Sequence, residues 1–478
     1  MSKSNGWARG LHVEADGRGL VGQAGIVLLR SVADKTGLTD ALGRIWPSSP
    51  AASWVDRASA LVYLACSIAL GAKNLSDAER MAHHHQPLAL SGGSDSTIWR
   101  LLAGIDDRLA GKIARARSKA RAVAWRLIAA REQGFPWIEV AGKVLTGWIV
   151  IDMDATIIEA ASKKEGAAGT FKGTFGHHPL AAWCANTVEC LAMILRPGNA
   201  GANDAADHRR VLATALRGLP RAGYRKILVR IDGAGATHAL LEFLEGLNHA
   251  ARRVTWTVGW KITTADETAI ASLPEAAWTV AVATSGEATP GYEVAELTGL
   301  NTRPGWPKGL RLIVRRCRPS RRQEKNLTDF ERSTRFVYTI SATNIGLKGL
   351  KGIAGSHTVQ FLDVLHRHHA VVEDRVRCAK ATGLRNLPSA SWQVNESWML
   401  AANIAADLDA WTRLIGCAGE AELETAEPAT IRAKRYTIGA RLARHARRRT
   451  LRIPATWPWS PHFSRCWQRL TALPDPAT

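Results

Sequence analysis

The spacing of apolar residues predicts helices at both ends of the chain and strands between them. Apolar positions at helical spacing dominate residues 1–145, and short apolar runs bounded by glycine and proline follow. Helical spacing returns after residue 345. The main elements predicted in the second part are strands at 147–158, 181–186, 190–196 and 226–236, a mainly β segment over 254–345, and helices at 356–383 and 392–415. The pattern predicts an α/β protein with a helical N-terminal region.

Two aspartates interrupt the first predicted strand. The run G-W-I-V-I-D-M-D-A-T-I-I is apolar almost without alternation, as in a strand covered on both faces of its sheet. Asp152 and Asp154 are two residues apart and share one strand face. Buried carboxylates need a positive partner, and a metal ion is one candidate. The alternative is that both lie at a frayed strand end in contact with water.

A third aspartate ends the strand predicted at 226–236. Asp232 follows the apolar run I-L-V-R-I and precedes a glycine-rich turn. The carboxyl end of a parallel strand is where α/β folds place their chemistry. The same residue type is also common as the cap of a turn or helix, so both interpretations stay open at this point.

The helix predicted at 356–383 carries charged residues and histidines along one face. The members of this face recur at spacings of three and four, as neighbours on a helix surface do. They are His366, His369, Glu373, Arg377 and Lys380. Gly383 is a natural C-terminal stop for this helix. A face that mixes a carboxylate with cations is usually only solvated, so the helix alone does not indicate a site.

The composition favours a polyanionic partner. The formal net charge is +21, and basic residues are dense in the predicted helix over 108–131 and in a tail over 431–453. Nucleic acid is the first candidate and an anionic membrane surface the second. The longest apolar stretch, at 60–72, is too short to span a bilayer. Seven cysteines without a C-x-x-C motif argue against a disulfide scaffold or zinc finger. We expect a cytoplasmic, nucleoid-associated protein.

Two further features admit both a DNA-binding and a structural interpretation. Residues 25–42 predict two short helices around Thr36 and Gly37, which fits a helix-turn-helix or an ordinary helical corner. Tryptophans at 256, 260 and 278 lie in predicted strands. One of them, Trp260 in particular, could stack on a flipped base, although tryptophan in strands is more often part of the core.

Five sequence motifs in a fixed order resemble the DDE insertion-sequence transposases. They are I-D-M-D-A-T, K-E-G-A-A-G-T-F-K-G-T-F-G-H-H-P-L, R-P-G-N-A-G-A-N-D, V-R-I-D-G, and V-E-D-R-V-R-C-A-K-A-T-G-L-R-N-L-P-S. The family numbered thirteen-eighty is the nearest match. The resemblance implies an RNase H-like catalytic core interrupted by a mainly β insertion. Its expected divisions are a helical DNA-binding region (1–145), the first part of the core (146–253), the β insertion (254–345), the second part of the core (346–418) and a basic tail (419–478).

The resemblance also implies a catalytic triad and its metal ions. It assigns Asp154 as the first acid, with Asp152 as the rival assignment, followed by Asp232 and Glu373. Two Mg²⁺ ions, which Mn²⁺ can replace, would be held by these carboxylates and would stabilise the attacking and leaving oxygens of phosphodiester cleavage. Related transposases carry Tyr-x2-Arg-x3-Glu-x6-Lys around the glutamate. Lys380 fits this pattern and would bind the phosphate beside the cut.

This chain departs from that motif at two positions before the glutamate. His366 and His369 stand where tyrosine and arginine are expected, and they remain candidate DNA contacts together with Arg377 and Trp260. The implied function is cut-and-paste transposition, in which terminal inverted repeats are bound and cleaved and the 3′-OH is joined to target DNA. A homodimer on DNA and no membrane association are expected. The alternative is a catalytically silent, DNA-binding or regulatory relative of the same fold.

Overall fold

A computed structural model describes residues 11–46, 56–90, 92–161, 163–220, 223–300 and 305–476. Its N-terminal part is helical, as the apolar spacing predicts. The elements of this part are β1 (Leu20–Val21), α1 (Ile26–Lys35), α2 (Leu38–Gly43), α3 (Arg57–Leu70), α4 (Leu75–His85), α5 (Asp95–Ala103) and α6 (Asp107–Ala129). Gly37 joins α1 to α2 with φ +74°, a conformation that glycine adopts without strain.

Strands dominate the next part of the chain. Its elements are β2 (Glu139–Val140), β3 (Lys143–Val144), β4 (Trp148–Ala155), β5 (Ile158–Glu159), β6 (Ala168–Gly169), β7 (Phe175–His177), β8 (Leu180–Cys184), β9 (Cys190–Ile194), α7 (Ala205–Gly218), β10 (Lys226–Ile231), α8 (His238–Gly246) and β11 (Arg253–Trp260). Residues 148–153 of β4 are buried, as expected for a strand covered on both faces.

The remaining elements alternate between strands and helices. They are α9 (Thr264–Ala271), β12 (Thr279–Val282), β13 (Ala288–Glu296), β14 (Arg311–Cys317), α10 (Asp329–Thr334), β15 (Val337–Thr343), α11 (Val359–Arg367), α12 (Val372–Ala379), α13 (Trp392–Trp411), α14 (Ala421–Glu424), α15 (Pro428–Ile431), β16 (Ala440–His445), β17 (Arg448–Arg452) and α16 (Ser460–Ala472).

One nine-stranded mixed sheet organises the molecule, in the order β12-β13-β14-β15-β11-β10-β4-β8-β9. The central strand β10 is parallel to both β4 and β11, whereas the outer pairs are antiparallel. Strands β12 to β15, from the stretch predicted as a β insertion, extend this sheet beyond β11 instead of forming a sheet of their own. The predicted segment boundaries remain predictions, but the hydrogen-bonded sheet is continuous across them.

The helix predicted at 356–383 is interrupted. It consists of α11 and α12, with a tighter turn at His368–Val371 between them. Gly383 ends the segment with φ +85°, in agreement with its predicted role as a stop. His369 is buried and Glu373 is exposed, so the face predicted from sequence spacing is only partly open to solvent.

Helix α13 forms the centre of the helical layer. It packs against α3 and is buried around most of its circumference. Within the described residues, no single helix has the length and hydropathy to cross a membrane. The bent pair Arg57–Leu70 and Leu75–Leu88 has the length and composition of a membrane span only when its two helices are counted together. Almost all of α3 is buried inside the protein.

Candidate active site

Asp154 and Asp232 occupy equivalent positions on neighbouring parallel strands. Met153 of β4 is in register with Ile231 of β10, and an aspartate follows each of them. Parallel strands bring their carboxyl ends to one edge of the sheet. Two carboxylates that are 78 residues apart along the chain, from 154 to 232, are thus placed side by side by the pairing of β4 with β10.

The pKa of Asp154 is raised by burial and by neighbouring acids. Burial raises this pKa, and the carboxylates of Asp232 and Glu373 raise it further, to about 6. His369 and a hydrogen bond from the Ala155 backbone N–H act in the opposite direction. Like charges at close range disfavour ionisation. Besides burial, the carboxylates of Asp232, directly after β10, and of Glu373, on α12, therefore contribute to the raised pKa of Asp154.

The other two acids face solvent. The Oδ1 atom of Asp232 accepts a hydrogen bond of 3.0 Å from the N–H of Ala234 and caps the turn that follows β10. Glu373 lies exposed in the first turn of α12. Among the residues that the structure describes, no three histidine, cysteine or acidic side chains are already grouped around one metal ion position.

Asp152 has a different environment from Asp154. Its oxygens accept bonds of 2.7 Å from Nε and 2.8 Å from an Nη of Arg230, and Nδ1 of His369 lies 3.0 Å from Oδ1. Burial alone would raise the pKa of Asp152, but Arg230 and His369 hold it well below its ordinary value. Both oxygens are thus already engaged. This ion pair argues against Asp152 as a metal ligand and leaves Asp154 as the acid that faces Asp232 and Glu373.

Arg230 is the residue at this site that the sequence interpretation missed. It lies in the apolar run of β10, two residues before Asp232, and its side chain is fully buried. Besides Asp152 it contacts Nδ1 of His368 at 2.9 Å. An arginine inside a buried strand requires a buried acid, and this signal could have identified Asp152 as its partner.

The two histidines expected to contact DNA lie below the surface. His366 bonds Oγ1 of Thr257 at 3.2 Å, and burial lowers its pKa to about 3. His369 is only 7% exposed and faces the Asp152 carboxylate. The turn between α11 and α12 directs both residues towards the sheet, whereas Glu373 points outward. The structure therefore separates these histidines from the outer face on which the sequence placed them.

The remaining candidates occupy three different environments. Arg377 is exposed and pairs with Asp374 at 2.8 Å and with Glu427 at 2.9 Å. Lys380 is partly buried, and this burial together with the nearby Lys172 lowers its pKa. Trp260 is 8% exposed, and its ring meets Trp306 edge-on at 4.4 Å. This packing favours the structural interpretation of Trp260 over base stacking.

A family model decides the identity of the chain. The model described as transposase DDE domain, group 1, matches residues 3–475. The chain belongs to this family. No curated protein matches this transposase. Among solved structures it is similar to a piggyBac transposase in a synaptic complex with hairpin DNA, determined by cryo-EM. The identity is 9%, the match covers 86% of this chain and 81% of that chain, and the TM-score is 0.38.

Membership confirms the resemblance to DDE transposases that the sequence motifs indicate. The finer expectation, family thirteen-eighty, stays a prediction. Transposase DDE domains in general use divalent metal ions. The donor set here suits such an ion, because carboxylate oxygens are the ligands that hard divalent cations prefer.

Proposed function

We propose that this transposase binds the ends of its insertion sequence, cleaves them and joins the 3′-OH ends to target DNA. The observation that carries the proposal is the pairing of β4 with β10, which sets Asp154 and Asp232 side by side at one edge of the sheet in a chain of the DDE family. Three acids from distant parts of a DDE-family chain at one sheet edge are what metal-dependent strand cleavage requires. We further propose that the sheet, with the acids on β4, beyond β10 and on α12, is an RNase H-like core.

Each acid has a distinct role in this proposal. Asp154 would help to hold both Mg²⁺ ions, and Asp232 and Glu373 would each help to hold one of them. Mn²⁺ would substitute for Mg²⁺. When bound, the ions activate the attacking water or 3′-OH and stabilise the leaving oxygen. Asp232 could bind through Oδ2 while Oδ1 keeps its hydrogen bond from Ala234 N–H, whereas Glu373 would have to turn inward.

Other residues would orient the DNA. Lys380 would bind the phosphate next to the cut, and Arg377 would contact the backbone after it exchanges its carboxylate partners for phosphate. Asp152 and Arg230 would keep β4 and β10 in register below the acids. The protein would act as a homodimer on terminal inverted repeats, in the cytoplasm where the nucleoid DNA is accessible.

A cleavage assay on the ends of the protein's own element tests this function. Wild-type protein with Mg²⁺ should cut the ends, whereas Asp154→Asn, Asp232→Asn and Glu373→Gln should each lose at least about 100-fold in cleavage rate, since each removes a group that stabilises the transition state. All three should bind the ends with unchanged affinity. Asp374→Asn, which removes an exposed acid of the same helix, is the matched control and should cut normally.

The alternative, a catalytically silent relative that only binds DNA, predicts a different result in the same assay. Wild-type protein would bind the ends without cleaving them at any Mg²⁺ or Mn²⁺ concentration. Full cleavage by Asp232→Asn would also contradict the proposed assignment of the acids.

A further inference from the structure

His369 is held in one orientation beside the three acids. Its Nδ1 lies 3.0 Å from Oδ1 of Asp152, and Arg230 fixes that carboxylate through bonds of 2.7 and 2.8 Å. The residue is more than nine-tenths buried. A ring anchored at one nitrogen by a buried ion pair cannot rotate freely. Its second nitrogen, Nε2, therefore has a fixed direction.

The Asp152 contact assigns the proton on the ring. The carboxylate of Asp152 is ion-paired with Arg230, which donates to both of its oxygens. An ionised carboxylate can only accept hydrogen bonds, so Nδ1 must carry the hydrogen. In the neutral ring Nε2 is then a lone-pair acceptor. The tautomer follows from the hydrogen-bond network of the described side chains.

The Nε2 atom of His369 has no hydrogen-bond partner among the described residues, although it is buried. A buried polar atom without a partner is costly, and such atoms in native proteins usually mark a missing ion or water. Asp154 lies two residues beyond Asp152 on the same face of β4, so its carboxylate is the next one along the strand from the carboxylate that anchors the ring. A ring nitrogen and a carboxylate on one face of a strand are two donors that a cation can use.

We propose that Nε2 of His369 is a nitrogen ligand of a divalent cation that Asp154 also binds. This inference rests on the proposed function and adds to it a donor other than the three acids. The chain Arg230–Asp152–His369 then has the form of a carboxylate–histidine–metal arrangement, in which the carboxylate fixes the tautomer and orientation of the ring. The ligand role would explain why position 369 is histidine and not the expected arginine, because arginine has no lone pair with which to bind a cation.

A nitrogen ligand changes which ion the site prefers. Imidazole is a good ligand for transition metals, whereas Mg²⁺ favours oxygen. The ion next to His369 should therefore be Mn²⁺ in preference to Mg²⁺ when both are supplied at equal concentration. A site of carboxylates alone would discriminate less between the two.

Pulsed electron paramagnetic resonance of bound Mn²⁺ tests the inference directly. The full-length protein with Mn²⁺, alone and with end DNA, should show a ¹⁴N coupling to the ion. Protein labelled with ¹⁵N only in histidine should show the ¹⁵N coupling in its place. Because the labelled wild-type protein gives this readout, the test does not depend on any variant that might fail to fold.

Three variants identify the nitrogen. His369→Gln should lose the coupling and bind Mn²⁺ about 10- to 100-fold more weakly, and Asp152→Asn should weaken binding by a similar factor, as loss of a supporting hydrogen bond typically does. His366→Gln removes the neighbouring ring, whose centroid is 6.5 Å away, and is the matched control. It should keep the coupling. Persistence of the coupling in His369→Gln would overturn the inference.

Asp154→Asn separates failure of the inference from failure of the proposed function. If Mn²⁺ binding depends on Asp154 but the wild-type spectrum lacks a histidine nitrogen coupling, His369 is not a ligand and the three-acid site stands. If wild-type protein and Asp154→Asn bind Mn²⁺ identically, Asp154 does not bind the ion. Both the proposed function and the role of His369 as a ligand are then contradicted.

Discussion

Asp152 and Asp154 share one strand face but meet opposite electrostatic environments. Their spacing predicts the common face and suggests a site, yet it cannot distinguish the two residues. The register between β4 and β10 makes the distinction, because it sets Arg230 opposite Asp152 and Asp232 opposite Asp154. Strand register depends on pairing between distant segments, so it is not readable from local sequence.

The raised pKa of Asp154 predicts a pH-dependent stability. Its folded-state pKa of about 6 exceeds the ordinary 3.8, so the folded protein holds a proton that the unfolded chain has released. The free energy of unfolding therefore falls as the pH rises from about 4 to 6 and stays lower above pH 6. Asp154→Asn removes this penalty and should stabilise the metal-free protein at pH 7.5 by up to about 3 kcal/mol.

Denaturation of metal-free protein at pH 5 and pH 7.5 measures this effect. The advantage of Asp154→Asn over wild type should be smaller at pH 5, and the exposed acid variant Asp374→Asn should show no comparable change. A less stable Asp154→Asn at pH 7.5 would contradict the electrostatic account of this residue.

Removal of the Asp152 carboxylate should lower the stability of the protein, whereas removal of the Asp154 charge should raise it. Asp152→Ala leaves a buried guanidinium without its carboxylate and should cost about 3–5 kcal/mol of stability. The double variant Asp152→Leu/Arg230→Met removes both charges and should recover much of the loss. Chemical denaturation of wild type, the single variant and the double variant measures both effects. A double variant no more stable than Asp152→Ala would show that the pair is not the cause.

At the level of elements, helical spacing predicts the existence of a helix more reliably than its continuity. The segment at 356–383 has the periodicity of one helix, and Gly383 ends it as predicted. The turn at His368–Val371 has no Gly or Pro signal, and it turns His369 inward while Glu373 stays outside. Contacts with β4 and β10 stabilise this turn, and such contacts are invisible in the segment itself.

The basic tail predicted at 419–478 contains an arginine-rich hairpin. Strands β16 and β17 pair Arg441 with Arg452 and Arg444 with Arg449, and β1 fixes the hairpin to the body. Within the described residues these four arginines form no ion pair with a carboxylate. Like charges opposite one another destabilise a hairpin unless a polyanion neutralises them, which supports the expected role of the tail in binding phosphates.

Neutralising the hairpin should weaken DNA binding in a salt-dependent manner. The triple variant Arg444→Gln/Arg448→Gln/Arg449→Gln should lower the affinity for end DNA and reduce the slope of log affinity against log salt by up to about 3, since each lost phosphate contact removes roughly 0.9. The matched triple Arg→Lys variant keeps the charge and should retain most of the slope. Fluorescence anisotropy titrations at several salt concentrations measure this slope. An unchanged slope in the Gln variant would show that the hairpin does not contact DNA phosphates.

At the scale of the molecule, buried charges join segments that the sequence separates. Arg121 of α6 bonds Glu189 at 2.7 Å and Asp407 of α13 at 3.2 Å, and Arg117 also bonds Asp407. The indole N–H groups of Trp125 and Trp411 donate to Glu189. Basic residues are dense in the helix predicted at 108–131, but Arg117 and Arg121 are buried in the interior and do not add to a cationic surface.

This network predicts cooperative unfolding of the helical region with the sheet. Asp407→Ala leaves two buried arginines without their shared acid and should cost about 3–5 kcal/mol. Tryptophan fluorescence and far-ultraviolet circular dichroism should then report one transition, shifted to lower denaturant. Glu396→Ala, which removes another acid of α13 from outside the network, is the control. Two separate transitions in Asp407→Ala would mean that the helical region and the sheet unfold independently.

The central claim is that Asp154, Asp232 and Glu373 bind the same pair of divalent cations. The most direct test is a crystal structure of the full chain bound to its end DNA and Mn²⁺. The anomalous scattering of manganese locates the ions in such a crystal. The account predicts manganese peaks about 2.0–2.3 Å from carboxylate oxygens of all three acids. Peaks that involve Asp152 instead of Asp154, or no manganese near Glu373 in a DNA-loaded complex, would contradict it.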